Sequence, residues 1–237
     1  YLSIILSVFA IHVLFVNCTS KSKNIQEQVA EDKVNQRFFS DSSFWNQPIQ
    51  PDAKIDPRSD NWIKLLQQEP TVDHFDFNNE MWTIPVYEVD SLTPTYDIKK
   101  IKLDQYEKDY RLSEKDYYGF GEGFGVAVPI PENATPDPAQ DAHIAMVDRN
   151  RNIGWDMWGL KKRDDGTWES FTGMKYSLNG NGIFKTERYT DILDGESVHF
   201  HGPSRAAGVP TIAGLIMYDE IISGEIKHKL SFASRFA

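Results

Sequence analysis

The sequence predicts a mainly β fold, an antiparallel β-sandwich or barrel-like domain with one or two short helices. Three observations carry that expectation. Short β-branched and aromatic runs recur from residue 81 onward, prolines and glycines bound them, and only two segments have helix signals. The chain has 237 residues, 40% hydrophobic and 13% aromatic. That is enough for one sizeable core and short for two full domains, so residues 38–237 are expected to form a single β-rich domain.

The first segment does not belong to that domain. "YLSIILSVFAIHVLFVNC" is an apolar run ending at Cys18, the only cysteine, and "TSKSKNIQEQVAEDKVNQ" follows it. Apolar stretch, cysteine, then polar spacer is the order of a bacterial lipoprotein export signal, with Cys18 carrying the lipid. A retained membrane anchor is the alternative, but roughly 17 apolar positions would only just span a bilayer. Residues 1–18 are therefore expected to direct export to the cell envelope and 19–37 to form a flexible tether. No basic leader precedes Tyr1, so the chain reads as clipped at its start. With no second cysteine, stability must come from the core rather than from an internal disulfide.

The elements follow in order. Structure is expected to begin at "RFFSDSSFWNQPI", where aromatic residues appear abruptly. "DPRSDNWIKLLQQEP" predicts a helix capped by Asp56, with Pro57 in its first turn, Trp62, Leu65 and Leu66 on one face, and Pro70 as its stop. Strands are expected at "MWTIPVYEV" (81–89), "TYDIKKIKL" (95–103) and "GVAVPIP" (125–131). The glycines of "YYGFGEGFG" do not complete the G-x-G-x-x-G spacing and no strand–helix unit follows, which excludes a nucleotide-binding loop. "TWESFTGMKYSLN", the "NGNG" turn at 179–182 and "GIFKTERY" read as strand, turn and strand. Near the end, a short helix around 217–223 with Gly224 as C-cap and a final strand at 225–233 are expected.

The stretch "DAHIAMVDRNRNIGWDMWGL" (141–160) predicts a hairpin turning at Asn150-Arg151. In that register His143 faces Trp158, Ala145 faces Asp156 and Val147 faces Gly154, and all six share one side of the sheet. Ile144, Met146, Trp155 and Met157 form the core stripe on the other side. The His143 side combines an imidazole, the Asp156 carboxylate diagonal to it and an indole, with Asp141 one pleat further along. An aromatic plane stacks on a sugar ring's C–H face, while carboxylate and imidazole bond hydroxyls or move protons. The alternative is a His143–Asp156 pair on an ordinary half-exposed face, with Trp158 covering an edge.

Other candidates are weaker. His199 and His201 would share a face if extended, with Arg205 following, but an Asp-x-His or His-x-His pair lacks an obvious third metal ligand. His228 alternates with Ile226 and Leu230 on the expected last strand, either as a core histidine or lining the same cleft as His143. Ser204 lacks a G-x-S-x-G elbow. Trp45, Trp62, Trp82 and Trp168 are assigned to core or rim.

Three stretches, "VAVPIPENATPDPAQDAHIAMVD", "IGWDMWG" and "SRAAGVPTIAGLIMYDEIISGEIKHKLSFA", resemble an uncharacterised family of secreted bacterial and fungal proteins. That family has an Asp-x-His strand and an Ala-Ala-Gly-x-Pro…Gly-Leu…His-x-Leu-x-Phe C-terminal segment. The resemblance covers roughly residues 40–233 and is most specific in its last thirty or so positions. Asp141, His143, Glu220 and His228 match the shared pattern, whereas Arg205 stands where many relatives are acidic. It implies export, a β-rich fold and continuation beyond the last strand, without assigning a reaction.

The net charge of −10 supplies no basic footprint for nucleic acid or for an anionic membrane surface, so membrane contact is expected only through the lipid anchor. The expected function is cleavage of an extracellular polysaccharide, by hydrolysis or by elimination. His143, Asp141 and Asp156 are the acid–base candidates, and Trp158 and His228 the substrate-binding ones. No metal or other cofactor is assigned. The alternatives are a non-catalytic glycan-binding surface lipoprotein and a structural envelope protein.

Overall fold

The structure is a computed structural model, and the residues it describes are 37–68, 78–101, 118–121, 123–184, 200–201, 204–205 and 207–232. The expected export signal, almost all of the tether, and His199 lie outside them. The strands are β1 (Val86–Glu88), β2 (Thr95–Tyr96), β3 (Ile98–Lys100), β4 (Tyr118–Gly119), β5 (Val128–Pro129), β6 (Ile144–Asp148), β7 (Ile153–Trp158), β8 (Lys161–Lys162), β9 (Trp168–Ser170), β10 (Thr172–Ser177) and β11 (Phe200–His201). Two short helices, α1 (Ser59–Gln67) and α2 (Tyr218–Ser223), complete the described elements. The fold is mainly β, and among the described residues no sheet closes into a barrel.

The central sheet has the order β1-β6-β7-β10. β6 and β7 pair antiparallel with Ala145 opposite Asp156 and Val147 opposite Gly154, the register read from the sequence. The turn between them forms because Asp148 accepts the Arg151 backbone N–H at 2.8 Å and its guanidinium Nε–H at 2.6 Å. Asn152 then takes the left-handed conformation, at φ 55°, which asparagine tolerates better than most residues. β1 joins the other edge of β6 in parallel, so the sheet is mixed rather than purely antiparallel. The long connection from 89 to 143 makes that possible, because a parallel pair cannot be closed by a tight turn.

"TWESFTGMKYSLN" is not one strand. It breaks at Phe171 into β9, which lies between β3 and β8, and β10, which lies beside β7. The facing chain breaks at the matching place: Trp158 is opposite Thr172 and Lys161 opposite Glu169. β7–β8 and β9–β10 are thus one long hairpin, bent where Gly159 turns left-handed at φ 69°. A β-carbon at Gly159 would collide with the Phe171 ring. Glycine is needed there for both the dihedral and the space.

Both faces of β6 are buried. Ile144, Met146, Trp155 and Met157 pack with Val128, Ile130, Leu160 and Trp168, as the stripe predicts. Ala145 and Val147, on the face expected to hold the site, are covered by Phe39, Trp45, Leu178, Ile212 and Ala213. Burial of its larger aliphatic and aromatic side chains contributes roughly 1.5–3 kcal/mol each, so this second layer is a core in its own right.

Several local expectations need correction. α1 starts at Ser59, and Asp56 does not cap it. Asp56 instead accepts the Arg58 backbone N–H at 2.8 Å and pairs with its guanidinium. No α1 residue is buried. Trp45 and Trp168 are core residues, whereas Trp82 is 54% exposed. The run 95–103 is interrupted at Asp97, which turns its carboxylate onto the Ala127 N–H at 3.0 Å. The expected last strand does not form: Lys229 and Ser231 donate singly to the carbonyls of Trp45 and Gly214.

Phe38–Leu215 with the stretch from His228 onward forms one unit, and Ile216–Lys227 belongs to another. The latter carries α2, closed by Gly224 at φ 71° as expected, with the Glu220 carboxylate accepting the Met217 N–H at 2.9 Å. No helix among the described residues is long and apolar enough to cross a membrane.

Candidate functional site

The expected site residues separate into a half-exposed group and a buried one. The half-exposed group forms where the chain enters β6. Ala142 is left-handed there, at φ 43°, a conformation that costs a non-glycine residue about 1–2 kcal/mol. Three bonds hold it: Gly159 N–H to Asp141 O at 2.9 Å, Leu160 N–H to Ala142 O at 3.2 Å, and Asp137 N–H to His143 O at 2.9 Å. Asp137, itself buried, is anchored by the N–H groups of Thr83 and Ala139. The strained corner is thus tied on every carbonyl, which lets it persist.

Its effect is to bring Asp141 and His143 to the edge of Trp158. The Trp158 indole N–H donates to Asp141 Oδ1 at 3.2 Å. Asp141 Oδ2 stands 3.9 Å from His143 Nε2, with the carboxylate side chain 43% exposed and the imidazole 19%. Phe171 packs on Trp158 with ring centroids 4.8 Å apart and planes tilted 42°. Burial pushes the His143 pKa below the ordinary histidine value and Arg205 adds to that, while the Asp141 and Asp137 charges act in the opposite sense. The imidazole is therefore neutral at pH 7. Its Nδ1 is buried without a hydrogen-bond partner among the described residues. A buried orphan N–H costs more than an orphan lone pair has to, so the proton belongs on Nε2, facing Asp141.

Asp156 is not the carboxylate partner of His143. Its side chain is fully buried, and it accepts the Tyr176 hydroxyl at 2.6 Å and the Thr211 backbone N–H. Burial pushes its pKa up to about 6, although both hydrogen bonds and the Arg205 charge favour ionisation. The Tyr176 ring reaches Asp156 by lying over Gly154, where a β-carbon would collide with it. Arg205 closes the layer, donating to Thr211 O at 2.7 Å and Ser231 Oγ at 2.7 Å. Asp156 thus fastens Thr211 and its neighbours to the sheet.

His228 is not on a strand, and its Nδ1 lies 2.8 Å from the neighbouring Lys229 carbonyl. Ser204 is buried beside Thr172. Glu220 serves the start of α2. Among the described residues no group of three histidine, cysteine or acidic side chains could hold a metal. Phe171 is the site residue that sequence reading missed. The available signal was an aromatic directly opposite Gly159 in the extended hairpin register.

No family model matches the chain, and no curated protein or solved structure matches it.

Proposed function

We propose that the protein binds glycan at the Asp141–His143–Trp158 edge. The observation that carries this reading is the Asp141 carboxylate, held by the indole N–H at 3.2 Å and left half exposed beside a neutral imidazole. Hydroxyl-binding groups thereby flank an aromatic plane, the combination a sugar ring needs. Export, with lipid attachment at Cys18, is proposed alongside it from the order of apolar stretch, cysteine and polar spacer.

A second reading, cleavage of the bound polysaccharide, is favoured by the neutral His143 imidazole beside a carboxylate, which a proton-transfer step can use. Hydrolysis by a carboxylate pair has less support, since it needs two reachable carboxylates and Asp156 is enclosed in the core. The deciding experiment is a polysaccharide panel scored for both retention and product. Binding without product, lost in Trp158→Ala, is the expected result. Product formation abolished by His143→Ala would establish cleavage instead. Neither binding nor product would overturn both readings.

A further inference from the structure

The gap between Asp141 and His143 narrows the ligand further, on the assumption that the glycan reading holds. At 3.9 Å, Oδ2 and Nε2 are too far apart to bond each other, and one oxygen about 2.8 Å from each would bridge them. The bridging atom has strict requirements. Asp141 Oδ2 can only accept, and its sister oxygen already takes the Trp158 N–H. Because Nδ1 is buried without a partner among the described residues, Nε2 carries the proton and can only donate. The bridging oxygen must therefore donate to one side and accept from the other.

We infer that the Asp141–His143 pair is a subsite for a single sugar hydroxyl and that the site takes neutral glycans in preference to uronic acids. A hydroxyl meets both requirements. A carboxylate or sulfate oxygen has no proton to give Asp141 and is repelled by its charge, and an ammonium group has no lone pair for His143. The Trp158 ring selects among hydroxyl compounds, since its apolar face favours a ligand with a C–H face of its own. Arg205, the nearby cation, has its guanidinium committed to the Thr211 and Ala213 carbonyls and to Ser231, so it is not offered to an acidic sugar.

The test measures affinities of the wild-type protein for gluco-, manno- and xylo-oligosaccharides against oligogalacturonate and oligo-alginate of matched length, at fixed ionic strength. Neutral oligosaccharides should bind more tightly. O-methylation of one particular hydroxyl on the best neutral ligand should weaken it roughly tenfold to a hundredfold, as expected for a hydrogen bond to a charged group. Asp141→Asn should reproduce that loss and reduce the discrimination against uronates. The methylation series uses only the wild-type protein, so it decides even if the variant does not fold. Tighter binding of uronates, or indifference to every methylation, would overturn the inference while leaving glycan binding standing. Absence of binding to all of them would overturn the glycan reading, and the inference with it.

Discussion

Asp156→Asn tests the account of the buried layer most directly. The wild-type carboxyl has its pKa raised from 3.8 to about 6, chiefly by burial. Each tenfold change in proton affinity corresponds to about 1.4 kcal/mol, so holding this group ionised in the folded chain costs about 3 kcal/mol. The folded chain binds the proton more tightly than the unfolded one. The stability associated with this group is therefore fully present below about pH 4 and is lost as the pH rises to about 6. Asparagine has no proton to lose. Its Oδ1 can accept the Thr211 N–H while its NH2 donates to the Tyr176 hydroxyl oxygen, so any mismatch of that geometry is an offset that does not change with pH. Urea unfolding of both proteins in steps from pH 4 to pH 7 separates the two effects. The stability of the variant relative to wild type should rise by about 2 kcal/mol across that range, whatever its starting offset, because the scan begins just above the unfolded pKa. A difference that stays flat would show that Asp156 is not a titrating, desolvated carboxylate, and the assignment of the layer above the sheet would fail with it.

Three further substitutions probe the same geometry. Gly154→Ala should displace the Tyr176 ring from the sheet and cost about 1–3 kcal/mol in urea unfolding, and unchanged stability would show that the ring does not lie there. Gly159→Ala meets both a left-handed dihedral and the Phe171 ring. It should lower the melting temperature and weaken glycan retention together, because Phe171 supports Trp158, and retained affinity would separate the platform from the bend. Asp148→Ala strips the turn of its bonds to Arg151 and should destabilise by about 1–3 kcal/mol, checked by chemical denaturation at neutral pH.

Several elements were legible because their determinants are local. The β6–β7 register follows from alternating side chains and a turn centred on Asn150-Arg151, so Ala145 was correctly set against Asp156 and Val147 against Gly154. Gly224 ended α2 as its left-handed preference dictates. The apolar stripe of Ile144, Met146, Trp155 and Met157 faced a core. In each case the information sits within a few residues of the feature it specifies.

Elsewhere the outcome depended on segments distant in sequence. Pairing Asp156 with His143 assumed that the second face of the sheet was open. Phe39 and Trp45 from before the sheet, and Thr211 to Ala213 from after it, close that face and take the carboxylate. His228 alternated with apolar residues, but no segment among the described residues offered that stretch a ladder, and alternation alone does not make a strand. Asp141 was placed on the right edge, yet its precedence over Asp156 came from the left-handed Ala142, which no propensity assigns to alanine.

By itself, then, the sequence determined the strand pattern, the hairpin register and the three residue types at the candidate edge, since periodicity and turn chemistry are properties of neighbours. The tertiary structure alone decided which carboxylate remains within reach of a ligand. Solvent access and proton affinity depend on what packs above a face, and here that covering comes from both ends of the domain.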